Sequence, residues 1–108
     1  MEANFGEYIR KLRTHNGWTL TQLGAKLGID SGALSKIETG KKELDEVFLP
    51  NLAEAFNLDL EMLKSELISE KIANTIYQSR CNDNVLTLAE EKVKYIRQKN
   101  TKQITLKL

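Results

Sequence analysis

The stretch TLTQLGAKLGIDSGALSKIETG, from Thr19 to Gly40, constrains this chain more than any other. Leu20, Leu23 and Leu27 recur at i, i+3 and i+7, which puts them on one face of a short helix. Thr19 stands just ahead of that run and Gln22 three residues after it, the arrangement of a capping box. Gly28 falls where the helix should stop, since glycine takes the left-handed conformation without a Cβ clash. Ile29 then points back into a core, and Asp30 or Ser31 is placed to cap a second helix. In that helix Leu34 and Ile37 face inward, while Ser31, Gly32, Ser35, Lys36 and Thr39 fall on the opposite side. Gly24, four residues before the turn glycine, has almost no side chain and lets the two helices cross steeply with their backbones close.

Two short helices crossing over a tight turn, the second presenting a polar ridge, have the geometry of a helix-turn-helix whose second helix fits a DNA major groove. Helix, glycine, helix also occurs in the helical hairpins of enzymes and scaffolds. The joint spacing of Gly24, Gly28, Ile29, Leu34 and Ile37 is more restrictive, but it describes a shape and not an activity.

The rest of the chain reads as helix too. There is one proline among 108 residues and no long β-branched run, so an all-α fold is expected, one domain or one domain with an appendage. Asn4 and Glu7 can cap a first helix with Phe5, Ile9 and Leu12 inward, stopping near Asn16-Gly17 with His15 in its last turn. Trp18 is expected as a lid beneath the start of the second helix. After the polar loop from Gly40 to Glu43, Leu44, Val47, Phe48, Leu49, Leu52, Ala53 and Phe56 supply apolar surface for a fourth helix. Pro50 belongs in its first turn, so the helix starts between Asp45 and Pro50 and closes at Asn57. Asp59 can cap a fifth helix through Leu60, Leu63 and Leu67.

Ile68, Ile72 and Ile76 continue that stripe to about Gln78, the polar run SRCNDN breaks it, and Leu86, Ala89, Val93 and Ile96 define an amphipathic helix ending near Lys99, with Thr87 and Glu90 as a capping pair. The expected division is 1–64 for a five-helix domain and 65–108 for a helical extension. A domain that closes around Leu63 has little need of two more apolar stripes. The favoured expectation is a hairpin forming an isologous dimer through Ile72, Ile76, Leu86, Val93 and Ile96; the alternative is a hairpin folded onto its own domain. In the tail TKQITLKL, alternating Ile104, Leu106 and Leu108 suit a short strand or a disordered end.

Charge is close to balanced, at +1 overall. Residues 1–57 hold 7 Lys+Arg against 8 Asp+Glu, and the remainder 9 against 7. A clearly basic domain is therefore absent, and any phosphate affinity must come from the placement of Arg10, Lys11, Lys26, Lys36, Lys41 and Lys42. One histidine, one cysteine and no phosphate-cradling glycine loop assemble no catalytic constellation, so neither an enzyme, a metal site nor a cofactor is expected. Cys81 reads as an inert surface thiol. No apolar run is long enough for a bilayer, and MEANFGEYIR carries acid where a signal peptide needs base, so a soluble, cytoplasmic protein without a membrane partner is expected.

Between Phe5 and Leu63 the blocks IRKLR, TLTQLGAKLGI, LSKIETGKK and LPNLAEAFNLDLEML together resemble the phage-repressor (Xre/Cro-like) helix-turn-helix family. The resemblance implies a compact five-helix domain that binds double-stranded DNA as a homodimer on a partly palindromic operator, as a sequence-specific transcriptional regulator. It implies a structural ion pair between Arg13 and Glu38, base-reading positions at Ser31, Gly32 and Lys36, and phosphate contacts around Thr39, Lys41 and Lys42, with Ser35 beside them. The chain departs from the family in three places. Leu20 stands where many relatives carry glutamine, Gly32 offers no side chain, and Asp30 repels phosphate unless it is occupied as a cap. The pattern ELISEKIANTIY…LTLAEEKVKYI resembles small regulators encoded beside restriction–modification genes, which implies a repressor or controller of such a locus. An antitoxin of the same fold, with a toxin as protein partner, and an interaction module that has lost DNA binding are the alternatives.

Overall fold

A computed structural model of the chain describes the backbone of residues 4–107 and the side chains of residues 4–100. Its regular elements are α1 (Phe5–His15), α2 (Leu20–Leu27), α3 (Ser31–Glu38), a 3₁₀ turn (Glu46–Phe48), α4 (Leu49–Phe56), α5 (Leu60–Ser79) and α6 (Val85–Lys107). Every helix start in the first half is closed by a short polar side chain or a proline. The Asn4 side-chain oxygen accepts from the Glu7 N–H at 2.9 Å. Thr19 and Gln22 form both bonds of the capping box, at 3.1 and 2.9 Å. Pro50 sits in the first turn of α4, where its missing N–H costs nothing. Asp59 accepts from the Met62 N–H at the start of α5.

Residues 4–73 form one compact unit. Phe5 and Ile9 of α1, Leu23 and Leu27 of α2, Leu34 and Ile37 of α3, Leu44, Leu49 and Leu52 around α4, and Leu63 and Leu67 of α5 make a single apolar core. Eight of the large side chains are almost fully enclosed, each contributing about 1.5–3 kcal/mol relative to exposure. Because Leu67 is buried with the rest, the unit runs beyond residue 64. Trp18 lies half-buried with its ring 5.1 Å from that of Phe56, and Lys26 Nζ stands 4.6 Å above it. That cation–π contact commits Lys26 to the Trp18 face. Val47 departs from expectation: the 3₁₀ turn sends Phe48 and Leu49 inward and leaves Val47 67 % exposed.

Residues 74–107 form a second unit: the last turns of α5, a break in which Arg80 adopts the left-handed conformation (φ 52°), and α6. Thr87 does not begin α6. Leu88 N–H already donates to the Asn84 carbonyl, so the helix is under way two residues earlier. Nor does it end near Lys99. The backbone stays helical through Lys107, because adding a residue to an existing helix is far easier than starting one and lysine, glutamine and leucine are good helix formers. The strand suggested for Ile104 and Leu106 is therefore not formed, and Leu108 lies outside the described residues. None of the described side chains of α6 is buried; Leu86, Val93 and Ile96 remain open in the single chain.

Candidate nucleic-acid interface

Helix α3 packs on both α1 and α2. Gly28 (φ 80°) ends α2, and the N–H groups of Gly28 and Ile29 both donate to the Gly24 carbonyl. A Cβ on Gly24 would run into the Ile29 carbonyl oxygen, so the close approach is to the turn backbone itself. Asp30, and not Ser31, caps α3: its Oδ1 accepts from the Ala33 N–H at 2.8 Å. Asn51 of α4 donates to the Leu27 carbonyl at 3.2 Å and steadies the turn from behind.

The far end of α3 is tied to α1. Arg13 Nε and Nη2 reach the two carboxylate oxygens of Glu38 at 2.8 and 3.0 Å, and Nη1 donates to the Trp18 carbonyl at 2.9 Å. The Glu38 side chain is 4 % exposed and that of Arg13 13 %. A charge so enclosed is tolerated only when paired and hydrogen-bonded, and this fork supplies both. The hydrogen bonding that the Arg13 guanidinium donates to Glu38 holds it above its ordinary pKa, against the opposing effect of burial and with the help of charge attraction.

The opposite face of α3 is open. Ser31, Gly32 and Lys36 are exposed and Ser35 is half-buried. Gly40 (φ 80°) reverses the chain after the helix, and the Lys41 and Lys42 N–H groups both donate to the Lys36 carbonyl, at 2.9 and 3.2 Å. The loop thus folds back on the helix end, and the backbones of Lys36, Lys41 and Lys42 meet within one turn. Thr39 is placed differently. Its hydroxyl donates to the Ser35 and Lys36 carbonyls at 2.9 and 3.3 Å, so its single hydrogen is occupied in closing the helix. A Cβ on Gly32 would meet only Asp30 Oδ1, at 3.2 Å.

Several of the acids around α3 are engaged in contacts of their own. Asp30 is engaged as a cap, Glu38 is neutralised by Arg13, Asp45 caps the Val47 N–H, and Glu46 lies 3.5 Å from Lys64. Asp30, Glu43, Asp45 and Glu46 are all exposed, and Glu43 adjoins Lys42 in the chain. Among the described residues no cluster of His, Cys, Asp and Glu is arranged to hold a metal ion, and no helix is long and apolar enough to cross a membrane. Sequence reasoning missed Gly6, whose absent Cβ makes room for the Ile37 carbonyl, and Glu70, which accepts from the Phe5 N–H. A glycine in the first turn of an amphipathic helix was the signal for the former; nothing local marks Glu70.

A ridge-bearing helix held over a glycine turn defines a helix-turn-helix protein, and comparison with known proteins agrees. The helix-turn-helix family HTH_3 matches residues 9–63. The transcriptional repressor RghR of Bacillus subtilis (strain 168) is 30 % identical over 107 residues, covering 86 % of this chain and 79 % of the relative. Among solved structures, the clp gene regulator ClgR of Corynebacterium glutamicum is similar at 24 % identity and TM-score 0.49, covering 68 % of this chain and 87 % of its own. A complex of the SinR and SinI proteins is similar at 20 % identity and TM-score 0.48, covering 86 % and 97 %. The chain belongs to the Xre/Cro-like helix-turn-helix family of DNA-binding transcriptional regulators.

Proposed function

We propose that the protein represses transcription by occupying promoter DNA as a homodimer, each copy laying α3 into the major groove of one half of a partly palindromic operator. The observation that carries this reading is the outward ridge of α3, where Ser31, Gly32 and Lys36 are exposed and the Lys41 and Lys42 backbone folds back onto the Lys36 carbonyl. Lys36 is the base reader, suited to guanine O6 and N7, and Ser31 contributes a hydroxyl. Gly32 admits the backbone or a thymine methyl. Lys41 and Lys42 hold phosphates, with Ser35 and Thr39 in lesser roles, Thr39 needing to surrender its helix-closing bonds to donate. One good side chain–base contact contributes about 1–3 kcal/mol of discrimination, so a half-site read by one or two needs dimerisation and DNA shape to supply the rest.

The residues that make the dimer surface are Ile72, Ile76, Leu86, Val93 and Ile96, of which Leu86 and Ile96 are more than half exposed in the single chain. Repression is favoured over activation because the similar RghR is a repressor. A small operon is the favoured target, and the C-terminal pattern suggests a restriction–modification locus as the setting. Selection from a random double-stranded DNA pool tests the reading. Inverted half-sites centred about 10 base pairs apart, or a multiple of that, should be enriched. An affinity that ignores salt would instead mark an interaction module, since phosphate neutralisation releases counterions. An obligate co-purifying toxin would mark an antitoxin.

A further inference from the structure

Charge is divided unevenly along the chain. Residues 1–73, which include the helix-turn-helix, carry 9 Lys+Arg against 12 Asp+Glu, a net of −3. Residues 74–108 carry 7 against 3, a net of +4. The last acids in the sequence are Asp83, Glu90 and Glu91, and from Lys92 to Leu108 there are six bases and no acid. The backbone from Lys92 to Lys107 belongs to α6, and every side chain from Lys92 to Asn100 is exposed. Spacing sorts the bases further. Lys92, Tyr95 and Lys99 stand three and four residues apart, so they share one face of the helix. Glu91, one turn before Tyr95, bounds that face at its N-terminal end. Neither lysine has an acid three or four residues away, where a helix brings side chains together; Lys94 has both Glu90 and Glu91 at that distance.

We propose that α6 is a second DNA-binding element, in which Lys92 and Lys99, with the Tyr95 hydroxyl between them, hold phosphates of double-stranded DNA irrespective of sequence. Lysine and tyrosine side chains both donate to phosphate oxygens, and such contacts carry no base information. The seven residues from Lys92 to Lys99 span about 10 Å of helix, the axial rise of about three phosphates along one strand. Sequence-independent affinity comes from neutralising phosphates, and residues 1–73, at −3, are poorly supplied for it. Duplex DNA is favoured over an anionic membrane on two grounds. The chain belongs to a DNA-binding family, and the stretch from Lys92 to Asn100 has none of the Trp, Phe or Leu with which a helix lies in a lipid interface. The site lies within α6 alone and depends on neither the operator nor the dimer surface proposed above.

The test measures binding of the full-length protein to random-sequence double-stranded DNA from about 50 to about 200 mM salt. The proteins compared are the parent, Lys92→Gln with Lys99→Gln, Lys92→Arg with Lys99→Arg, and Lys94→Gln. Two phosphate contacts contribute about 1.8 to the slope of log K against log salt, so over that range the parent should lose about ten-fold more affinity than the glutamine pair. The arginine pair, which keeps both charges, and Lys94→Gln should follow the parent. Glutamine is a good helix former and these positions are exposed, so circular dichroism and sedimentation should show the parent's fold and dimer constant. A glutamine pair with the parent's slope overturns the proposal, as does a loss that appears only with unfolding or dissociation. Weakened binding to phosphatidylcholine vesicles containing phosphatidylglycerol, with DNA unchanged, would make α6 a membrane-surface helix and overturn it too. A parent without preference for a selected operator, whose slope still falls in the glutamine pair, overturns the reading of α3 and upholds that of α6.

Discussion

Replacing Glu38 with alanine would leave Arg13 enclosed against the α1–α3 junction with one of its three hydrogen bonds, that to the Trp18 carbonyl. Removing one partner of a buried pair costs about 3–5 kcal/mol, because the remaining charge stays desolvated. The Arg13 side chain is 13 % exposed, so some solvent can reach it, and the low end of the range, about 3 kcal/mol, is expected. For a domain of this size 1 kcal/mol corresponds to about 4–8 °C, so Tm should fall by at least about 12 °C. Circular dichroism during thermal and urea unfolding measures this. The double variant Arg13→Met, Glu38→Leu should recover most of the loss, since an apolar pair needs no charge compensation. The pair also makes a pH statement. Arg13 is raised in the folded state, so its stabilisation is complete below the unfolded arginine pKa and is lost only as pH rises through the higher folded value. It therefore adds no pH dependence in the neutral range. A single-variant loss under about 1 kcal/mol, the level of an exposed pair, would refute the reasoning.

Gly24→Ala should destabilise the fold: a gain of about 1 kcal/mol in helix propensity is outweighed by about 1–3 kcal/mol of overpacking against the rigid Ile29 carbonyl. Gly32→Ala, whose Cβ would meet only the Asp30 side chain, should unfold near the parent temperature, and equal losses at the two glycines would contradict the packing assigned to Gly24. Lys41→Ala with Lys42→Ala should weaken binding to all DNA sequences and reduce the slope of log K against log salt by about 1.8; an unchanged slope would turn the loop away from the phosphates. Val93→Asp should give monomers that bind the operator poorly, and a dimer persisting in sedimentation would move the interface elsewhere.

The helix-turn-helix was legible because its constraints are local. Capping oxygens, a left-handed glycine and an i, i+3, i+7 leucine row each act within a few residues, and Thr19, Gln22, Gly28 and Asp30 all occupy the places their chemistry requires. The break near Arg80 and the long fifth helix were readable for the same reason. Contacts between residues distant in sequence were not readable from the residues alone. The meeting of Glu70 with Phe5 depends on where α5 crosses α1, and the Arg13–Glu38 pair was reached only through family resemblance. The tail misled because a three-residue alternation is a weak signal beside the ease of extending a helix. Val47 misled because hydropathy does not reveal that a 3₁₀ turn will place one of three apolar neighbours outward. Thr39 shows the limit within the site: its position on the ridge was readable, but the engagement of its hydroxyl with two carbonyls was not.

The central claim, that the exposed side of α3 reads base sequence, is tested most directly by comparing Lys36→Ala with the parent on a selected operator and on random DNA at the same salt concentration. Loss of a direct base contact should weaken operator binding by about 1–3 kcal/mol while random DNA changes much less. Equal losses on the two would make Lys36 a phosphate contact, and no loss on either would mean that the ridge does not lie in the groove.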